Sequence, residues 1–215
     1  MSEHQFRNGQ RTKPADSDFS APRKGGRFSR MNEGWEYYRV PSEKSRKGYK
    51  NVGVYRGVYY KADREPGQIT RHRLTIAGIL LFVVISFVIN CIQSYSYNAV
   101  WYVGLAEALT IVSLTHTAIV LVLYLVAEKE MTVYIYNQTS RGLINACAIA
   151  AFLLGACALS SVTSLIISGG SFQEYLTGGA GFSFLAACMV FVRNAELSLP
   201  YRSWQSTDTV TTAER

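Results

Sequence analysis

The sequence predicts an all-α membrane protein, a bundle of four transmembrane helices in two antiparallel hairpins with a partly disordered cytoplasmic N-terminal tail. Three observations support this fold class. Four long stretches are apolar and almost free of charge, the segments between them are short, and the Lys and Arg residues that flank them fall on one predicted side. Together these features are typical of a multi-pass membrane protein.

The charge distribution divides the chain near residue 73. Residues 1–73 contain 17 Lys plus Arg against 8 Asp plus Glu, whereas residues 74–215 contain 5 against 7. The formal net charge of +7 therefore combines +9 from residues 1–73 (17 − 8) with −2 from residues 74–215 (5 − 7). The remainder is apolar, and its charges are concentrated at the ends of the apolar stretches.

Four predicted spans follow from length and lack of charge. A helix that crosses a hydrocarbon core of about 30 Å needs about 20 apolar residues. A soluble four-helix bundle would need a polar stripe on each helix, which these stretches lack. The fourth is the shortest and is rich in glycine, so it is the weakest of the four predictions. The predicted spans are residues 74–93, 99–126, 142–168 and 176–193.

A cleavable signal peptide is the alternative interpretation of the first stretch. Such a peptide has a short basic region at the extreme N-terminus and a small-residue cleavage site. Here about 73 polar residues precede the stretch, and Asn90-Cys91-Ile92-Gln93 is a poor cleavage site. The stretch is therefore interpreted as a retained first span.

The orientation follows from the basic residues next to the spans, because Lys and Arg accumulate on the cytoplasmic side. The connections 94–98 and 168–175 contain neither residue type and are placed outside. Both termini are then cytoplasmic, and residues 195–215 form a cytoplasmic C-terminal tail. The cytoplasmic basic residues are Arg71, Arg73, Lys129, Arg141, Arg193 and Arg202, and the outer aromatic belt contains Tyr95, Tyr97, Trp101 and Tyr102.

The outer connections are too short to form an extracellular domain. The glycosylation pattern at Asn137 lies in a predicted cytoplasmic connection and would not be modified. The cysteines lie within or at the edge of the spans, without the spacing of a metal site or a disulfide framework. We therefore expect no metal and no cofactor. The four cysteines are Cys91, Cys147, Cys157 and Cys188.

Small residues recur at helical spacing in the last two spans. Ala151 and Gly155 lie on one face of the third span, and Gly179 and Ser183 lie on one face of the fourth. Small side chains let helices approach closely in a bilayer. The two faces could pack against each other or form the seam of a homo-oligomer, and the sequence does not separate these alternatives.

Glu107 and His116 are the two ionisable residues inside the predicted spans, both in the second. They lie on opposite faces of the helix, because nine steps of about 100° amount to half a turn. His116 is interpreted as a neutral packing residue. Glu107 could fix helix packing through hydrogen bonds, or it could form a site for an ion, proton or small solute. The candidate partners at similar depth are Asn90, Ser160, Thr163 and Ser183.

The N-terminal part divides into two segments. Residues 1–33 have few large apolar side chains and are predicted to be disordered, and their basic cluster at residues 23–30 could contact anionic lipid headgroups. Nucleic acid is not an expected partner. Residues 34–73 are rich in aromatic and β-branched residues, which favours short strands with a turn at Arg56-Gly57. Such a hairpin would need the membrane surface, the 127–141 connection or a partner protein to pack against.

Enzyme signatures are absent from the sequence: it contains no glycine-rich phosphate loop, no His-Glu-x-x-His pattern and no Gly-x-Ser-x-Gly pattern. The expected function is that of a non-enzymatic scaffold or accessory subunit that binds partners through its cytoplasmic tail and helix faces. The alternative is a small oligomeric transporter or channel component with a polar site around Glu107. The layout resembles that of four-span vesicle and junction proteins, but the large cysteine-bearing outer loop of tetraspanins and claudins is absent.

Overall fold

A computed structural model describes residues 34–41, 49–55 and 57–205. The chain divides into two compact units, one formed by Met1–Tyr59 with Trp204–Arg215 and the other by Tyr60–Ser203. The larger unit contains all the long helices. The predicted disordered tail, its basic cluster at residues 23–30 and the end of the C-terminal tail lie outside the described residues.

The described structure is mostly helical, and the prediction of four long apolar helices is confirmed. Each of the four helical runs is long and apolar enough to cross a membrane by length and composition. The main helices are α1 (Pro66–Ile92), α2 (Trp101–Val126), α3 (Ser140–Ser168) and α4 (Phe182–Leu197). The shorter elements are a 3-10 turn (Ser96–Ala99), a short helix (Val133–Gln138), a helical turn (Phe172–Glu174) and a π-helix (Tyr175–Gly181) that continues into α4.

The outer faces of these helices carry large apolar side chains. Leu81, Val112, Phe152 and Phe184 are each at least 58% exposed, and similar residues recur along all four helices. A soluble monomer rarely exposes continuous apolar surface on this scale. Hydrocarbon chains of a lipid bilayer accommodate such a surface, so the helices are those of a membrane-associated multi-pass protein.

The first and fourth helical runs extend beyond the predicted spans. α1 begins at Pro66, eight residues before Leu74. Proline is favoured at the first helical position because its fixed φ suits the helix and its missing N–H has no partner there. The basic residues Arg71 and Arg73 therefore lie on α1 itself. The fourth run covers Phe172–Leu197, because the π-helix joins the capped turn at Ser171 to α4.

The packing order of the helices differs in part from two self-contained hairpins. α3 packs along both α2 and α4, and α1 packs against α4, whereas α1 and α2 contact each other sparingly. The connection between α1 and α2 directs Tyr97 into the interior, where its side chain is fully buried. The Tyr97 ring is therefore part of the buried core of the bundle.

Hydrogen bonds define the two ends of the larger unit. At one end, called the basic end below, α1 and α3 begin and α2 and α4 finish, and Arg73 on α1 donates to the carbonyl oxygen of Ala127 after α2. At the other end, called the far end, Asn90 on α1 donates to the carbonyl oxygen of Thr177 in the π-helix. The four helices are therefore antiparallel to their neighbours along the chain.

Two small sheets accompany the helices. In the smaller unit, β1 (Trp35–Pro41) pairs antiparallel with β2 (Tyr49–Tyr55), and Trp35 lies opposite Tyr55. The second sheet has the order β4-β3-β5, formed by β3 (Val58–Ala62), β4 (Glu130–Thr132) and β5 (Tyr201–Gln205).

The pairing of these strands corrects the predicted hairpin. The strands on either side of Arg56-Gly57 do not pair with each other, because β2 pairs with β1 and β3 joins the second sheet. Aromatic and β-branched residues favour a strand whatever its partner. The partner of β3 comes from the 127–141 connection, which was one of the predicted packing surfaces, and from the C-terminal segment, which was not predicted.

Candidate functional site

The Glu196 carboxylate is buried near the end of α4 and is 1% exposed. Its Oε1 accepts hydrogen bonds from Ser140 Oγ at 2.6 Å and from the Tyr201 hydroxyl at 2.8 Å. Its Oε2 accepts one from the Tyr124 hydroxyl at 2.7 Å and lies 3.1 Å from His72 Nε2. These five residues are called the Glu196 cluster. Each carboxylate oxygen has two partners, so the acceptor capacity of the group is filled.

The Glu196 cluster joins every long helix to the C-terminal segment. His72 comes from α1, Tyr124 from α2, Ser140 from the start of α3 and Tyr201 from β5. Burial and the neighbouring carboxylate raise the pKa of Tyr201 above its ordinary value, so its hydroxyl keeps its proton and donates. A carboxylate with four filled acceptor positions has none left for a metal or substrate. The arrangement therefore fixes the positions of the helices.

Arg73 extends this polar network at the basic end. Its guanidinium lies 5.0 Å from the centroid of the Tyr124 ring, within the range of a cation–π contact. It also donates to the carbonyl oxygens of Ala127 at 2.8 Å and Leu125 at 3.4 Å. The last carbonyl groups of a helix carry partial negative charge, so a cation at this position stabilises the end of α2.

An aromatic stack connects the second sheet to the Glu196 cluster. The Tyr60 ring lies 4.3 Å from the Tyr136 ring at an interplanar angle of 11°, and the Tyr136 ring lies 5.0 Å from that of Tyr201. Tyr201 then donates to Glu196. The segment before α1, the connection between α2 and α3 and the segment after α4 therefore contact one another at the basic end.

Glu107 lies in the half of the larger unit nearer the far end and is 9% exposed. Its Oε1 is buried and has no hydrogen-bond partner, in contrast to both oxygens of Glu196. The Cys91 thiol lies beside this carboxyl group. One turn further along α2, the Thr110 hydroxyl lies 3.3 Å from Cys157 Sγ. A buried carboxyl oxygen without a donor is costly, so the environment of Glu107 Oε1 differs from that of Glu196.

The other predicted intramembrane residues do not donate to Glu107. Asn90 instead accepts from the Tyr97 hydroxyl at 2.8 Å and donates to the π-helix. Thr163 and Ser183 are exposed, and the hydroxyl groups of Ser160, Thr163 and Ser183 donate to backbone carbonyls of their own helical runs. His116 is exposed on another face of α2.

The π-helix forms where glycines let it approach buried neighbours. A Cβ added to Gly178 would lie 3.0 Å from Tyr97 Cε1 and 3.1 Å from Ser161 Cβ, and one added to Gly179 would lie 2.8 Å from Val162 Cγ2. Glycine also has a low propensity for the α-helix. The glycine cluster that weakened the prediction of the fourth span is therefore the feature that fits this span against Tyr97 and α3.

The predicted small-residue faces line a groove of about 740 Å³ between α3 and the fourth helical run. Ala151, Gly155, Gly179 and Ser183 all contribute to it. Gly179 packs closely on Val162, whereas no atom lies within 4 Å of a Cβ built on Gly155. The faces thus combine a contact within the chain with an open surface, and both predicted alternatives stand.

Glu196 and its partners were not among the residues predicted from sequence. The fourth span was predicted to finish at residue 193, so Glu196 was assigned to the C-terminal tail. A signal was nevertheless present, because Glu196 adjoins an apolar span at the end where His72 and Tyr124 also lie. An acid next to a span, together with a histidine and a tyrosine at the same depth, indicates a buried polar cluster.

No family model matches the chain, and no curated protein and no solved structure is significantly similar to it. The candidate sites therefore depend on geometry alone. Among the described residues, no group of three or more His, Cys, Asp or Glu side chains is placed to hold a metal ion.

Proposed function

We propose that the protein is a multi-pass membrane scaffold or accessory subunit, without enzymatic activity, that spans the bilayer four times with both termini in the cytoplasm. One observation carries the proposal. Three separate segments at the basic end contribute strands to one sheet, and the Glu196 cluster holds the end of that sheet to all four helices. The chain thereby presents a fixed surface on one side of the membrane.

The orientation rests on the basic residues at that end. Arg71, Arg73, Lys129 and Arg141 all lie at or beyond the basic end, whereas the far-end connections contain neither Lys nor Arg. Basic residues next to spans are retained in the cytoplasm. The sheet and the Glu196 cluster would then face the cytoplasm.

A binding role is supported by a row of aromatic rings in the smaller unit. Neighbouring rings along Trp35, Tyr55, Tyr59 and Trp204 have centroids 5.4, 4.9 and 5.2 Å apart. The two outer members, Trp35 and Trp204, are 39% and 43% exposed. Rigid exposed tryptophans contribute strongly to protein interfaces, because little side-chain entropy is lost when they bind.

The experiment compares cross-linked complexes purified in detergent from cells that express the native chain or a variant. The double variant Trp35→Ala with Trp204→Ala removes both exposed ends of the aromatic row, and Trp101→Ala removes a tryptophan that is 77% exposed at the far end. We expect hetero-complexes with the native chain and with Trp101→Ala, and their loss with the double variant. An identical set of partners in all three preparations contradicts the proposal.

The second candidate is a small oligomeric transporter or channel component, and the unpaired Glu107 Oε1 is the observation in its favour. Its test is cation or proton flux into vesicles that contain the purified protein. Under this alternative, Glu107→Gln abolishes the flux, Glu128→Gln on the exposed connection retains it, and cross-linking yields symmetrical homo-oligomers. Absence of flux with the native chain favours the scaffold.

A further inference from the structure

A pocket of about 350 Å³ lies between α1 and α4 at the basic end. Its polar part is formed by Arg64, Arg71 and His72, and its apolar part by Ile79 and Phe191. The lining changes from basic to apolar along α1. Arg71 and Ile79 are eight residues apart, which is about 12 Å along the helix axis. A basic-to-apolar gradient of this length matches the passage from the headgroup region to the hydrocarbon region of a bilayer.

The positive charge of this pocket is not neutralised by the part of the chain that the structure describes. Within those residues, neither Arg64 nor Arg71 forms an ion pair. Two acids that adjoin lining residues in the sequence are occupied, since Asp63 pairs with Arg202 at 2.7 Å and Glu196 is bound by its own cluster. Glu65, although near in sequence, does not line the pocket. Both arginines are exposed, so their guanidinium groups are available to an anionic ligand.

We infer that this pocket binds the headgroup phosphate of an anionic phospholipid. Guanidinium groups match phosphate oxygens through paired hydrogen bonds, so Arg64 and Arg71 would hold the headgroup. Phe191 is 59% exposed on the outer surface of α4, where it continues the pocket towards the apolar exterior, so an acyl chain would lie along Ile79 and Phe191. The inference rests on the proposed membrane embedding, and it concerns residues separate from the basic cluster at 23–30.

His72 connects the pocket to the Glu196 cluster. It lines the pocket and places Nε2 3.1 Å from Glu196 Oε2. A headgroup in the pocket would therefore contact the same side chain that lies against Glu196. A ligand that binds only the folded state also stabilises that state. Anionic lipid is therefore expected to raise the unfolding temperature of the solubilised protein.

The experiment measures lipids bound to the full chain by native mass spectrometry in detergent, with added phosphatidylglycerol or phosphatidylcholine. The double variant Arg64→Gln with Arg71→Gln removes the guanidinium groups of the pocket. The matched control, Lys129→Gln with Arg141→Gln, removes the same charge from the same end outside the pocket. We expect the double variant to bind phosphatidylglycerol at least about tenfold more weakly, and the control to bind it like the native chain. Phosphatidylcholine binding stays unchanged in all three.

Three results would overturn the inference. Equal loss of phosphatidylglycerol in both double variants indicates attraction by surface charge, and equal binding of the two lipids by the native chain indicates no headgroup recognition. Displacement by glycerol phosphate at the same concentration as the lipid indicates a site for free phosphate. Release of the protein from membranes by alkaline carbonate without detergent would instead contradict the membrane embedding itself. The two proposals can therefore fail separately.

Discussion

Glu196 and Glu107 are both buried acids, but their carboxyl groups differ in the hydrogen-bond partners that surround them. Removing a carboxylate from water costs several kcal/mol unless hydrogen-bond donors replace the lost hydration. Glu196 has four such partners from four different segments, whereas the buried Oε1 of Glu107 has none. The first group is therefore held in one place by its surroundings, whereas one oxygen of the second is buried without a hydrogen-bond partner.

Replacement of Glu196 by Ala is expected to lower the free energy of unfolding by about 3–5 kcal/mol, because buried donors lose a shared partner. The matched control is Glu130→Ala, which removes an exposed acid paired with Lys61 at 3.2 Å. An exposed ion pair contributes below about 1 kcal/mol. Chemical denaturation in detergent measures both variants, and similar small losses would contradict the assigned role of Glu196.

The stability of the native chain is expected to fall as the pH rises above 10.0, the ordinary pKa of Tyr201. The folded state raises this pKa, so above pH 10 the unfolded chain releases the proton first, which favours unfolding. Tyr201→Phe removes this contribution, so its stability should decline less steeply, by up to about 1.4 kcal/mol per pH unit. The free energy of unfolding is measured from about pH 8 to about pH 11, a range that includes the ordinary pKa of tyrosine. These measurements give the pH dependence of stability for the native chain and for Tyr201→Phe.

A second consequence of Tyr201→Phe appears at neutral pH, where the lost hydrogen bond to Glu196 should cost about 1.5–3 kcal/mol. Parallel pH slopes of the two proteins above pH 10 would show that Tyr201 titrates alike in the folded and unfolded states. That result would contradict its burial beside Glu196.

At the scale of elements, the π-helix shows how a weak helical sequence becomes a fixed part of the bundle. The wider turn changes the direction of the backbone carbonyls, and Thr177 accepts a hydrogen bond from Asn90 on α1. π-helical turns frequently occur at functional sites, because they change the direction in which the backbone presents its groups. Here the turn joins the fourth helical run to α1 and to Tyr97.

Gly178→Ala tests the close approach of the π-helix. The new methyl group would lie 3.0 Å from the Tyr97 ring, so we expect a loss of about 1–3 kcal/mol from overpacking. Gly78→Ala is the matched control, because no atom lies within 4 Å of its added Cβ. The control should gain up to about 1 kcal/mol from helix propensity. Thermal unfolding in detergent compares them, and a gain for both would contradict the tight contact at Gly178.

At the scale of the whole molecule, the apolar exterior and the polar ends define how the chain meets its surroundings. The helices expose large apolar residues along their length, and the hydrogen-bonded clusters gather at the two ends. This is the reverse of a soluble bundle, in which the outer faces are polar. The bilayer therefore supplies the solvent for which the exterior is suited.

The proposed topology predicts which engineered cysteines an impermeant maleimide reaches in right-side-out vesicles. Ser94→Cys and Gln173→Cys, at exposed positions of the far end, should react in intact vesicles. Lys129→Cys and Ser203→Cys, at exposed positions beyond the basic end, should react only after permeabilisation. Reaction of Gln173→Cys and Ser203→Cys from the same side would reduce the number of crossings to three. The unmodified chain is the control for the native cysteines.

The helices were predictable from the sequence because their signal is local and strong. A run of about 20 apolar residues is long enough for a helix that crosses a bilayer, and the structure confirms four helical runs of that length and composition. The strand partners were not predictable in the same way, since the composition of residues 34–62 favours strands without specifying what each strand pairs with. β3 acquired its partners from segments far away in the chain.

The sequence by itself determined the four apolar helices and the concentration of positive charge in the first 73 residues. It also identified Glu107 as an acid inside an apolar segment. Only the tertiary structure brought His72, Tyr124, Ser140 and Tyr201 to Glu196, and Arg64 to the pocket beside them. The physical reason is the range of each interaction. Hydrophobic length is a property of one segment, whereas a buried carboxylate needs donors that helix packing draws from distant parts of the chain.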